Sequence, residues 1–144
     1  MKKLIGLWGT ANVGKSETIR IVYRKLTEMF PEYIFHEKFK VIIPDAGDIR
    51  LVIIINGKII GIESQGDPNS SLLTSLPLFA DLNCDIILCA TRTRGATVDQ
   101  VVKLNASYEI KWIEKHGCED SLKHQENDEI IATQILKIIK DEIN

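Results

Sequence analysis

The chain has 144 residues, 44% of them hydrophobic and 26% charged, with 18 basic and 20 acidic side chains and a formal net charge of −2. That length holds one domain with its own core and leaves no room for two of ordinary size. The near-neutral balance excludes a protein that charge alone carries onto nucleic acid or an anionic membrane; a nucleic-acid partner would need a local basic patch.

Three cysteines, Cys84, Cys89 and Cys118, form no C-x-x-C pair, which predicts reduced thiols and a cytoplasmic setting. The opening "MKKLIGLWGT" has the basic start of a leader, but its apolar run is about five residues against about 7–15 for a signal peptide. No stretch approaches the roughly 20 apolar residues that cross a bilayer. The expectation is a cytosolic protein with no membrane contact.

Leu4 to Trp8 is short and apolar without clean alternation, the pattern of a strand buried on both faces. A Gly-rich loop follows. From Lys15 the period changes, and Ile19, Val22, Leu26 and Met29 form the inner stripe of a helix, with Arg20, Arg24, Lys25 and Glu28 outside and Pro31 closing it. Asn56-Gly57 between two β-branched runs predicts a hairpin with strands at 50–55 and 58–63, because both central residues of a type I′ turn need positive φ. Phe39 to Ile43 is a candidate third strand. Asp67-Pro68 reads as a helix cap with proline in the first turn. Leu72, Leu73, Leu76 and Phe79 supply that helix's apolar side, and Pro77 is expected to break or kink it. Cys84 to Ala90 is a further buried strand. Thr97 to Gln100 has the capping-box pattern, opening a helix with Val98, Val101 and Val102 inside. Tyr108, Ile110 and Trp112 alternate with Glu109 and Lys111 on a half-buried strand. "GCEDSLKHQEND" reads as a loop, and a last helix from about Asp128 to Ile143 packs through Ile131, Ile135, Ile138 and Ile139. Strands alternating with helices indicate one α/β domain over residues 1–144, its sheet covered on both faces.

The loop from Gly9 to Ser16, "GTANVGKS", fits G-x-x-x-x-G-K-[ST] at every fixed position. Glycines at 9 and 14 let the backbone turn sharply and approach an anion. Amides from about Asn12 to Ser16 form a nest at the positive end of the following helix. Lys15 places a compact charge on β- and γ-phosphate oxygens, and the Ser16 hydroxyl suits Mg²⁺. With this motif between a strand and a helix, the chain resembles the P-loop NTPase superfamily, "GTANVGKS" standing as its Walker A motif. The resemblance implies a three-layer α/β/α sandwich with a mostly parallel sheet that includes the antiparallel hairpin. It also implies a nucleoside triphosphate and Mg²⁺ at the carboxyl ends of the strands. The expected nucleotide-binding residues are Gly9, Thr10, Ala11, Asn12, Val13, Gly14, Lys15, Ser16, Glu17 and Thr91.

Enzymes of this superfamily also need an acidic residue at the end of a neighbouring apolar strand. In "KIIGIESQGDP" that residue is Glu63, and with Gly66 it is similar to the D-x-x-G switch of GTPases, with Glu in place of Asp. Ser16, Glu63 and Asp67 are the expected metal residues; the plain alternatives are a solvated strand-end charge for Glu63 and a helix cap for Asp67. Thr91 would emerge beside the γ-phosphate if its strand neighbours the first. Arg92 and Arg94 could then stabilise charge on the transferring group or bind a second substrate. Two GTPase features are missing: "CATRTRG" offers no Asp for a purine edge, and no Ser or Thr occurs from Phe30 to Gly61. These departures favour ATP over GTP.

The expected catalytic set is Lys15, Glu63, Arg92 and Arg94, acting in Mg²⁺-dependent hydrolysis. Two other functions remain open: a small kinase passing the γ-phosphate to a small molecule, and a nucleotide-binding interaction module with little turnover. In the last, residues 30–47, with Tyr33, Phe35 and Phe39, would meet a protein partner.

Overall fold

The computed structural model describes residues 2–10, 13–45, 47–66, 72–116 and 121–144. Their elements, in chain order, are β1 (Lys2–Trp8), α1 (Lys15–Met29), β2 (Ile34–Phe35), β3 (Arg50–Ile55), β4 (Lys58–Glu63), α2 (Leu72–Asp81), β5 (Ile86–Thr91), α3 (Ala96–Val102), β6 (Tyr108–Glu114) and α4 (Ser121–Ile143). The strands make one mixed sheet in the order β2-β3-β4-β5-β1-β6. The β4-β5, β5-β1 and β1-β6 pairs are parallel, and β2-β3-β4 is antiparallel. Among the described residues, no helix is long and apolar enough to cross a membrane.

The inner strands lack simple alternation because they feed two cores. Ile5 and Leu7 of β1, Ile60 and Ile62 of β4, and Ile86 and Leu88 of β5 pack under α1 and α4. Leu4, Val52, Ile87 and Cys89 point the other way, toward Leu72, Leu76 and Phe79 of α2 and Val101 of α3. The result is a three-layer α/β/α arrangement. The Asn56-Gly57 turn has φ of 51° and 79°, both positive as its sequence demands, and the hairpin strands match their predicted bounds.

Several local expectations are corrected. No strand forms over Phe39–Ile43: Ile34–Phe35 pairs with β3 instead, and Ile42 makes only an isolated bridge to Arg50. The chain leaves the ladder between them so that Phe39 can bury its ring against Phe79. Pro77 does not break α2, which runs unbroken through it. Burial of Leu72, Leu76 and Phe79 outweighs the one helical hydrogen bond that proline removes. Thr97 lies inside α3, not at its cap; Gly95 holds the cap position with no side-chain bond. β5 begins at Ile86, since the Cys84 amide is bonded to the Phe79 carbonyl and closes α2. The polar stretch before Asp128 is helical from Ser121. Met29, Val102 and Trp112, all expected inside, are exposed, because α1 and α3 end there and β6 is an edge strand. The Asp67-Pro68 cap lies outside the described residues.

These placements separate two apolar residues of similar sequence context. Phe79→Ala should cost about 3–5 kcal/mol, as for other buried aromatics. Val102→Ala, at a position 45% exposed, should stay within about 0.5 kcal/mol of the parent. Urea denaturation midpoints at unchanged slope measure both, and a large cost at Val102 would place α3 wrongly.

Candidate functional site

The parallel strands β1 and β5 end side by side, Trp8 paired with Thr91, and β4 lies on the far side of β5 with Glu63 opposite Cys89. The loop after β1 therefore rises next to the end of β5. Gly9 is held there by its N–H bond to the Thr91 carbonyl at 3.3 Å. A Cβ on Gly9 would fall 2.5 Å from the Lys115 carbonyl oxygen, so only glycine passes this point. Gly14, at φ +92°, turns the chain into α1, and a Cβ there would meet the Asp128 carboxylate at 2.8 Å.

That turn fixes the next two side chains. Lys15 is 9% exposed. Its ammonium donates to the carbonyls of Gly9 at 2.6 Å and Thr91 at 2.7 Å. Ser16 Oγ donates to Asp48 Oδ1 at 2.8 Å and lies 3.3 Å from Ser64 Oγ. The Ser64 hydroxyl donates to the same Asp48 oxygen at 2.9 Å and accepts the Ile49 N–H at 2.8 Å. One helical turn after Ser16, Arg20 donates to the carbonyls of Gly47, Pro44 and Asp45 at 2.8, 2.9 and 3.0 Å. Its guanidinium closes the segment that carries Asp48 onto α1.

These groups stand at a cleft of about 1040 Å³. Gly14, Lys15, Ser16 and Glu17 line it from α1, Asp48, Ser64 and Gly66 from the ends of β3 and β4, and Arg92 from the end of β5. The first half of α4 forms the other wall through His124, Gln125, Asp128 and Glu129. Asp128 is neutralised by buried Lys115, Nζ to Oδ1 2.9 Å, which seats α4 against the loop.

Of the residues expected from sequence, Lys15, Ser16, Glu17 and Arg92 line the cleft, and Thr91 is buried beneath it with its carbonyl on Lys15. Thr10, Val13 and Arg94 do not line it, and Arg94 is exposed. Ala11, Asn12 and Asp67 lie outside the described residues. Glu63 is only 1% exposed and is turned to the α2 side, where Ser75 Oγ donates to it at 2.8 Å and Arg50 Nε stands 3.4 Å away. The solvated strand-end reading of Glu63 is thereby corrected. Among the described residues, the carboxylate in contact with Ser16 is that of Asp48. Alternation explains the exchange: Glu63 faces one side of β4, and Ser64, the next residue, faces the other. Burial, with the Glu63 charge second, pushes the Cys89 thiol up to about 12, so it stays neutral inside the sheet.

Asp48, Ser64, Arg20 and the Lys115–Asp128 pair were missed in the sequence reading. A signal for Asp48 was present. Counting outward from the Asn56-Gly57 turn pairs Arg50 with Glu63, which carries Asp48 alongside the residues just after β4. Comparison of the chain with protein-family models, curated proteins and solved structures gives no match.

The Arg20 contacts predict a local effect. Arg20→Met should leave the sheet intact yet speed amide exchange at Ile49 by about tenfold or more, since its partner Ser64 loses the fixed Asp48 beside it. Hydrogen-exchange mass spectrometry reads this directly. Unchanged protection at Ile49 would show that another contact holds the segment.

Proposed function

We propose that the chain is a P-loop nucleoside triphosphatase that binds a nucleoside triphosphate, ATP over GTP, with Mg²⁺ in this cleft and hydrolyses it. One observation carries the reading: an ammonium on backbone oxygens and a hydroxyl on a carboxylate stand on consecutive residues at the first turn of α1, at the mouth of the cleft. The residues fit the ligand chemically. The two carbonyls now on Lys15 are oxygen acceptors, so the ammonium already sits among oxygens of the kind that a phosphate would present. Ser16 and Asp48 provide two hard oxygens on one spot, suited to an ion that keeps several waters and binds few protein ligands.

Bound Mg²⁺ neutralises phosphate charge. This chain's residues do the rest. Lys15 exchanges its carbonyl partners for β- and γ-oxygens, and the α1 amides orient the chain of phosphates. Ser16 and Asp48 hold the ion, with Ser64 fixing the Asp48 carboxylate. Arg92 supplies positive charge at the end of β5, where charge develops on the transferring group. Glu63 acts from behind, its ties to Ser75 and Arg50 setting the end of β4 from which Ser64 and Gly66 reach the cleft. A second reading, phosphoryl transfer to an anionic small molecule, draws support from the cleft's extension along α1 to Arg24 and Lys25.

Calorimetry with ATP and Mg²⁺ tests binding. Lys15→Ala should weaken affinity by about 100-fold, roughly 2.7 kcal/mol, while circular dichroism shows the fold retained. Phosphate release without any acceptor tests hydrolysis, and turnover that needs an added acceptor favours transfer. Asp48→Asn should raise the Mg²⁺ requirement about tenfold or more and cut turnover. Glu63→Gln should leave turnover within a few-fold; its abolition with binding intact would place Glu63 in the catalytic set expected from sequence and remove it from the rear support assigned above.

A further inference from the structure

A smaller cavity of about 190 Å³ opens on the α2 side of the sheet, between residues 38–40 and the end of α2. The buried Phe39 ring forms its apolar base, tilted against Phe79 at 5.3 Å between centroids. Leu78 and Leu82 form a wall, and Leu78 is 40% exposed. The Arg50 guanidinium lies over Phe39, 4.8 Å from its centroid. Only its Nε is engaged, donating to Ser75 at 2.6 Å and standing near Glu63. Among the described residues, the two terminal nitrogens of Arg50 have no hydrogen-bond partner. A guanidinium stacked on an aromatic ring with its outer fork unspent is shaped for a carboxylate.

The surroundings select the same charge. Three cations, Lys38, Lys40 and Arg50, line the cavity against one carboxylate, Asp81. Its volume falls below the roughly 300–1,000 Å³ of pockets that take whole small molecules. It has room for one anchored side chain and its neighbour, and the rest of such a ligand would lie across exposed Lys38, Lys40 and Leu78.

We infer that this cavity docks an acidic segment of a protein partner, a Glu or Asp carboxylate engaging the terminal nitrogens of Arg50 while an adjacent apolar side chain covers Phe39, Leu78 and Leu82. The site lies within and beside residues 30–47, and its occupation does not require nucleotide.

The test uses a short amidated fluorescent peptide alternating Leu and Glu, with the Leu–Gln counterpart as control, read by fluorescence anisotropy on the full chain without nucleotide. The Glu peptide should bind at least about tenfold tighter than the Gln peptide. Lys38→Glu with Lys40→Glu, both exposed and neither a partner in the Arg50–Glu63 contact, should remove that advantage without loss of fold. Arg50→Lys, which keeps the charge but loses the fork, should weaken binding about tenfold. Amide NMR shifts should concentrate at Phe39, Leu78 and Leu82. The proposal is overturned if the two peptides bind alike or not at all, or if the charge reversal has no effect. It is equally overturned if the shifts fall on Gly14 to Glu17 instead, which would mean that the peptide merely occupies the cleft as a polyanion. Equal competition by inorganic phosphate, or by vesicles of anionic lipid, would also reject an acidic protein segment.

Discussion

A buried ammonium group is tolerable only when oxygen surrounds it, and Lys15 meets that need with backbone oxygen from both sides of the site. Its bonds to Gly9 and Thr91 tie the loop after β1 to the end of β5, strands that already pair in register from Lys3 to Trp8. The cation sits at the first turn of α1, where the helix's own positive end adds to its field. Carbonyl oxygens satisfy that charge in the protein alone; an anion with better oxygens can take their place. The geometry of the cleft therefore follows from where one lysine is allowed to be. Gly14 sets it by a left-handed turn, and the seated α4 wall limits how far the loop can move.

The sheet divides the polar residues between two faces. β4 ends with Glu63 on the α2 side and Ser64 on the α1 side, so adjacent residues enter separate networks. Each network is closed by a residue from the start of β3: Arg50 for Glu63, Asp48 for Ser64. A carboxylate as buried as Glu63 needs partners, and Arg50 and Ser75 are two of them. Asp48 is exposed, faces the cleft and, among the described residues, is held by two hydroxyls. It can therefore change partners at low cost.

Much of this architecture was legible in the sequence, for physical reasons. The hairpin was readable because Asn56-Gly57 has few other conformations available, and β1 and β5 because unbroken apolar runs suit strands buried on both faces. The glycine loop stood out because its residue types are demanded by backbone geometry. What stayed hidden depended on distant packing. Phe39 left the ladder for a ring on α2, and Pro77 stayed helical because buried neighbours outweighed its local preference. The early start of α4 was masked by polar residues that line a cleft wall instead of a core. The Asp48 contact with Ser16 stayed hidden because Asp48 comes from just before the antiparallel strand beside β4, and register is needed to see it.

That register also places the cleft and the rear cavity two residues apart. Asp48 belongs to the first and Arg50 to the second, on opposite faces of the same strand end. Between them Ile49 is pinned twice to Ser64: its N–H goes to the Ser64 hydroxyl at 2.8 Å, and its carbonyl accepts the Ser64 N–H at 3.0 Å. Ile49 is also fully packed in the α1–α4 core. A rigid-body shift of this strand end is therefore costly, and small changes on either face are confined to side chains unless the Ile49–Ser64 pair opens. That pair joins the two faces, because Ser64 also holds the carboxylate that contacts Ser16.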